Sequence, residues 1–161
     1  MSIFSSDMIL NRITDITPEL LKSIGVTALM IDVDNTLSTH HGTVLVRGLK
    51  KWLLQMQDDG IKMIVVSNSK HFRIEPFANK IGLPFISLAC KPLPFGYHKA
   101  RLKLGVNKKN CAIVGDQIFT DVLGANLYGI KSLLVRPIKL EKGLSFRIRR
   151  YFEKKILKGD F

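Results

Sequence analysis

An α/β fold, a single Rossmann-like domain with a five-stranded, mostly parallel sheet flanked by helices, is what this sequence predicts. Three observations lead there. Five short apolar runs, at residues 28–33, 61–67, 85–88, 111–115 and 131–135, have the length and composition of buried strands. Segments with helical spacing separate them, which implies parallel strands joined by crossovers. Glycines 60, 82, 105 and 129 fall where those helices should stop.

The elements can be justified in order. Thr17-Pro18-Glu19 ahead of Leu20, Leu21 and Ile24 supplies an N-cap, a first-turn proline and an acid at the positive helix end. The run 28–33 is the first strand. Leu49, Trp52, Leu53 and Met56 form one helix face, with Trp52 in the core. Phe72, Phe77 and Ile81 suggest a second face, Leu102 with Val106 a third, and Val122 with Ala125 a fourth, Asn126 lying at its polar edge. The expected organisation is one domain over residues 1–161, with a core at about 17–137 and an appended tail at 138–161.

Composition narrows the function classes. A chain of 161 residues suits one domain with a real core. The longest apolar stretches fall well short of a bilayer span. Residues 1–11 lack a basic region ahead of an apolar core, so no secretory signal is expected, and a cytoplasmic location follows. Cys90 and Cys111 stand apart in apolar contexts and are expected to be buried free thiols. Charge is the outlier: 25 Lys+Arg against 13 Asp+Glu give a net +12. Residues 136–161 alone hold nine basic side chains against three acidic ones. That asymmetry calls for an anionic partner.

The polar residues at the strand ends carry the chemistry. In open α/β sheets the ligand crevice lies beyond the carboxyl ends of the strands. Asp32 and Asp34 end the first run, Ser67-Asn68-Ser69 the second, Cys90-Lys91-Pro92 follow the third, and Gly115-Asp116 through Asp121 end the fourth. Period-two spacing puts Asp32 and Asp34 on one side of an extended backbone. Carboxylates from two strand ends can share one Mg²⁺ with water and a phosphate oxygen. A serine hydroxyl and backbone N–H groups can hold other phosphate oxygens, and a lysine supplies a compact positive charge. An aspartate can also form a covalent aspartyl-phosphate. No GxxxxGK[ST] or GxGxxG loop is present, which counts against a nucleotide-binding enzyme.

Asp32-Val33-Asp34-Asn35-Thr36, Ser67, Lys91 and Gly115-Asp116 with Asp121 resemble, in order and type, the four motifs of the haloacid dehalogenase (HAD) phosphatase superfamily. Asp-Asn-Thr-Leu, Ser-Asn-Ser, Lys-Pro and Gly-Asp-Gln with Thr-Asp look like the YqeG-type branch of subfamily IIIA. That branch is similar to phosphatidylglycerophosphate phosphatases. The resemblance implies that Asp32 is the nucleophile and a Mg²⁺ ligand. Asp34 would be general acid and then base, with its backbone carbonyl on the metal. Ser67 and Asn68 would bind substrate phosphate, and Lys91 would neutralise it while restraining Asp32. Asp116 would ligate Mg²⁺, with Asp121 as a second ligand or in the outer shell.

Many HAD enzymes carry a cap domain after the first or second motif. Here 30 residues run from Leu37 to Val66 and 23 from Asn68 to Cys90. Both intervals are used by ordinary elements, and even marginal independent domains need about 40 residues. A capless, open site is therefore expected, accepting a phosphate that projects from something large. If residues 144–158 are helical, Leu144, Ile148, Tyr151, Phe152 and Ile156 share an arc of about 140°. Arg147, Arg150, Lys154 and Lys158 lie opposite. Such a helix either lies on an anionic membrane surface or docks on the domain with a solvated basic back.

The expected activity is Mg²⁺-dependent phosphomonoester hydrolysis, with phosphatidylglycerophosphate, an anionic phospholipid, as the substrate and peripheral membrane contact. The alternatives are a phosphatase for nucleic-acid ends or phosphoproteins, and a non-catalytic RNA- or ribosome-associated factor. His40 and His41 in a polar loop and His98 on a helix are expected to be solvent-facing.

Overall fold

The computed structural model describes residues 2–39, 44–139 and 143–156. Its sheet has six strands, all parallel, in the order β1-β6-β5-β2-β3-β4. These are β1 (Met8–Leu10), β2 (Ala28–Ile31), β3 (Lys62–Val66), β4 (Phe85–Ile86), β5 (Cys111–Gly115) and β6 (Lys131–Val135). The helices are α1 (Pro18–Ser23), α2 (Leu49–Asp58), α3 (His71–Ile81), α4 (Phe95–Leu104), α5 (Leu123–Tyr128) and α6 (Leu144–Ile156).

Alternation along the strands builds two cores. Leu29 and Ile31 of β2, Met63 and Val65 of β3, and Ala112 and Val114 of β5 pack with α1, α2 and α3. The intervening Ala28, Met30, Ile64, Val66, Cys111 and Ile113 pack with α4 and α5. Both faces of the central strands are covered, so these strands read as continuous apolar runs.

The α/β architecture agrees with the sequence, and three details differ. The sixth strand, β1, pairs with β6 at the sheet edge, and it lies outside the expected core. Three residues are too few to show a period; long-range bonds hold the segment instead, with Ser132 N donating to Asp7 Oδ2 at 2.8 Å. In α3 the buried stripe is Ile74, Ala78 and Ile81, while Phe72 is exposed. In α4 it is Tyr97, Ala100 and Leu104, while Leu102 faces solvent. Spacing alone finds a helix face but does not say which side meets the sheet. Cys111 is buried as expected, but Cys90 is exposed, because it belongs to the rim loop rather than a strand. His98 is exposed, and His40 and His41 lie outside the described residues.

Between β2 and β3 the described residues hold a loop and α2, and between β3 and β4 they hold α3. The loop after β2 is pinned by bridges from Asp34 to Ser38 and from Ser38 to Leu45. Among the described residues no helix is long and apolar enough to cross a membrane.

Trp52 ties the packed helices to the N-terminal segment, since its buried Nε1 donates to Ile16 O at 2.8 Å. Trp52→Phe keeps most of the apolar contact but leaves that carbonyl without a donor. The expected loss is about 1–3 kcal/mol, seen as a lower denaturant midpoint with an unchanged slope.

Candidate active site

Four strand ends bring the charged groups to one rim. Asp32 leaves β2, Ser67 leaves β3, Lys91 follows β4, and Asp116 leaves β5. Asp121 arrives on a π-helical turn, Ile118–Val122, an irregular geometry often found at functional sites. Carboxylate oxygens of Asp32, Asp116 and Asp121 all lie within 4.8 Å of one another, and all three residues are buried. Into this cluster Lys91 projects its ammonium, bonding Asp32 Oδ1 at 2.7 Å and Asp121 Oδ1 at 2.6 Å.

Local backbone features make this convergence possible. A Cβ at residue 115 would sit 2.1 Å from Asp121 Oδ2, so only glycine lets that carboxylate approach β5. Cys90, immediately before Lys91, has φ 57°, a left-handed conformation that L-residues with a Cβ adopt at some cost. The loop is braced from β3: Asn68 Nδ2 donates to Lys91 O at 3.0 Å, and Lys91 N donates to Asn68 Oδ1 at 2.7 Å. The Asn68 side chain, expected to bind substrate, is thus engaged with the Lys91 backbone. Ser67 is buried, its hydroxyl oxygen accepting from Ser69 N at 3.1 Å.

The Asp34 side chain is not one of the three clustered carboxylates among the described residues. Its carboxylate pairs with both terminal nitrogens of Arg73, on the first turn of α3, and Arg73 also donates to Ser69 Oγ. This places the Asp34 carboxylate with a guanidinium and not among the oxygens that could hold a metal. Only its backbone carbonyl, the group the resemblance assigns, remains for an ion.

Burial raises the Asp32 carboxyl from its ordinary value to about 7, against the opposing pull of Lys91. Burial also pushes Asp116 upward, opposed mainly by the Arg150 guanidinium. For Lys91, burial works against the charge, but Asp121 and Asp32 outweigh it and hold the ammonium above its usual value. The site therefore concentrates carboxylates beyond what its cations comfortably neutralise.

The donor set fits a hard divalent cation. Three carboxylates within reach of one another are the oxygen ligands Mg²⁺ prefers. One buried oxygen, Asp116 Oδ1, has no hydrogen-bond partner, an expensive state for an anionic atom unless a cation takes it. Asp32, Asp116 and Asp121 are the side chains that could hold such an ion.

Several participants escaped the sequence reading. Arg73 carries no motif, and only its place one turn into the helix after the Ser67 loop could have drawn notice. The tail is the larger surprise. From α6, Arg150 donates to Asp116 O at 2.6 Å and pairs with Asp116 Oδ2, and its other bond goes to Glu153 Oε2 at 3.0 Å. Arg149 donates to Gln117 Oε1 at 2.7 Å. Glu153, itself buried, accepts from Ile118 N at 2.9 Å. The helix docks on the rim by its polar side, while Tyr151, Phe152 and Ile156 of the expected apolar arc are exposed. Lys158 of the opposite arc lies outside the described residues.

Comparison with known proteins agrees with this geometry. The haloacid dehalogenase-like hydrolase family matches residues 7–129. A Bacillus subtilis protein described as probable phosphatase YqeG is 36% identical over 154 residues, covering 96% of this chain and 90% of that protein. Among solved structures, an uncharacterised Listeria monocytogenes protein superposes with a TM-score of 0.59 at 17% identity, over 74% of this chain and 87% of that one. The core domain of a Streptococcus pneumoniae protein described as a phosphoglycolate phosphatase gives 0.53 at 21% identity, over 80% and 96%. The two structures share the fold. The family match covers all four strand ends of the carboxylate site, and this chain belongs to the haloacid dehalogenase-like hydrolase family.

Proposed function

We propose that this chain is a Mg²⁺-dependent phosphomonoester hydrolase that works through an aspartyl-phosphate on Asp32, and that its substrate is phosphatidylglycerophosphate. The observation that carries the reading is the buried cluster of Asp32, Asp116 and Asp121 threaded by the Lys91 ammonium. The B. subtilis relative, described as a probable phosphatase, supports the same reaction class.

In the first half-reaction an Asp32 oxygen attacks phosphorus, the bond from phosphorus to the leaving alcohol oxygen breaks, and Asp34 gives that oxygen its proton. Water then attacks the phosphorus of the aspartyl-phosphate, Asp34 takes the water's proton, and the acyl-phosphate bond breaks to restore the Asp32 carboxylate. A Mg²⁺ held by Asp32, Asp116, Asp121 and the Asp34 carbonyl would withdraw charge from the phosphate oxygens. Lys91 restrains Asp32 and faces the transferring group with a fixed positive charge. Ser67 and nearby backbone N–H groups receive phosphate oxygens, and Asn68 acts on the substrate by setting the Lys91 loop. To reach the alcohol oxygen, Asp34 exchanges part of its Arg73 pairing for the substrate. Uncatalysed monoester hydrolysis is so slow that barrier lowering on the order of 20 kcal/mol is required, and fixed charges in a buried site are the available source.

Three features support a lipid carrier. Among the described residues, the intervals where caps are inserted hold only ordinary elements. On α6, exposed Tyr151, Phe152 and Ile156 stand among exposed Arg147, Lys154 and Lys155, a mixture suited to an anionic membrane surface. Beside the loop after β2, a partly open cavity of about 270 Å³ is lined by Val44, Val46, Val135 and Ile138 together with Arg12, Arg47 and Arg136. Phosphatidylglycerophosphate carries a phosphodiester besides its monoester, and an arginine-lined cavity next to the loop favours a substrate with a second anionic group.

Asp32→Asn is expected to abolish Mg²⁺-dependent phosphate release from a generic monoester, and Asp34→Asn to lower it by about 10²–10⁴-fold. Both are read as inorganic phosphate released per enzyme. Retained release in Asp32→Asn would exclude the aspartyl-phosphate route. A substrate panel of phosphatidylglycerophosphate vesicles, phosphorylated nucleic-acid ends and small sugar phosphates should give the highest kcat/KM on the vesicles. A higher value on nucleic-acid ends would replace the lipid reading.

Mg²⁺ binding requires the ionised Asp32. With its carboxyl raised to about 7, the ion must displace a proton below that pH. Affinity should therefore climb as pH rises toward 7, by about tenfold per unit for a single displaced proton, and level off above it. Calorimetric titration of Mg²⁺ across pH 5.5 to 8.5 (about three units, chosen to bracket that value) checks this. A flat profile would mean that Asp32 is already ionised at the low end.

A further inference from the structure

We propose that Arg150, held by Glu153, is a positioning residue that presents Asp116 to the metal, so that α6 is a working part of the active site. The inference rests on the reading of Asp116 as a metal ligand.

The two oxygens of Asp116 are unequally treated. Arg150 takes Oδ2 and the backbone carbonyl of the same residue, fixing the carboxylate plane against its own main chain. Oδ1 is buried and has no hydrogen-bond partner among the described residues, and a carboxylate oxygen of Asp116 lies within 4.8 Å of oxygens of Asp32 and Asp121. A guanidinium suits this task because its planar fork can serve a carboxylate and a carbonyl together, whereas an ammonium is a point charge. The arginine is fixed in turn. Glu153 accepts from it at 3.0 Å through Oε2 and from Ile118 N at 2.9 Å through Oε1, anchoring the helix to the turn that carries Asp121. One buried network therefore runs from α6 to both metal-binding elements after β5.

The orientation of the helix points the same way. If apolar burial drove docking, Tyr151 and Phe152 would face the domain. They are 65% and 51% exposed, while Glu153 is 3% exposed. A helix that leaves Tyr151 and Phe152 outside while packing a buried Glu153 and a partly buried Arg150 against the body is held by specific charge contacts. Such contacts give weak net stability, which points to a role other than simple packing.

The test is Mg²⁺ titration calorimetry on the full chain, together with the Mg²⁺ dependence of phosphate release. Arg150→Gln is expected to weaken Mg²⁺ binding by about 10–100-fold, the usual consequence of losing a residue that orients a ligand. Release at saturating Mg²⁺ should recover much of its rate. Arg150→Lys should fall between wild type and Gln, and Glu153→Gln should move affinity in the same direction by less. Unchanged affinity in Arg150→Gln would overturn the proposal. Tighter binding would also overturn it, making Arg150 a counter-ion that the metal must displace. Should Arg150→Gln fail to fold by thermal melting, Glu153→Gln decides by the same criteria: weaker binding supports, unchanged or tighter binding refutes. Failure of the wild-type chain to bind Mg²⁺ would instead sink the proposed function.

Discussion

Everything at the rim depends on one buried ammonium. Lys91 is 2% exposed at its side chain and bonds carboxylates from two different elements, the β2 end and the turn after β5. Two like charges about 4 Å apart at an effective dielectric near 20 repel by about 4 kcal/mol, so the carboxylate cluster cannot be assembled without such a cation. The lysine supplies that cohesion, yet it leaves charge over. Three carboxylates face Lys91 and Arg150, and Asp34 has its own partner in Arg73. The residual negative charge and the Asp116 oxygen without a hydrogen-bond partner among the described residues are what the proposed divalent ion would satisfy. Stability and ligand affinity are thus set by the same imbalance.

The scaffold confines that imbalance to one rim of the sheet. Central strands buried on both faces fix where each chain segment emerges, and Asp32, Ser67 and Asp116 each lie just past a strand end. Precision comes from small devices, not from the sheet alone. Gly115 lets Asp121 press against β5, and Asn68 clasps the Lys91 loop from the neighbouring strand. Tyr97, buried beneath the site, donates to Thr120 O at 2.8 Å and fills the space where a Cβ on Gly124 would stand 2.2 Å away. These contacts hold the turn carrying Asp121 from below.

Most of the carboxylate site was legible because strand-end chemistry is local. An apolar run followed by Asp32, or by Gly115-Asp116, announces both the strand and the group it delivers, with no knowledge of the rest of the chain. What could not be read was long-range pairing. β1 is three residues without periodicity and exists because β6 accepts it. Arg73 shows its purpose only when Asp34, 39 positions earlier, lies beside it. The side by which α6 docks was not legible for an instructive reason. Sorting α6 by hydrophobicity assumes that the apolar side seeks the protein, but the body offers α6 acceptors at residues 116 and 117 and a buried donor at 118. Matching those groups outweighs burying Tyr151, so the helix turns Arg149, Arg150 and Glu153 toward the body.

The central claim is that Asp32 is the atom donor to phosphorus, inside a metal site shared with Asp116. A crystal structure of the full chain grown with Mg²⁺ and beryllium fluoride addresses it directly. The expected result is a trifluoroberyllate bonded to an Asp32 oxygen, with one Mg²⁺ coordinated by Asp32 and by Asp116 Oδ1. Fluoroberyllate attached elsewhere, or an ion settled away from those two carboxylates, would contradict it.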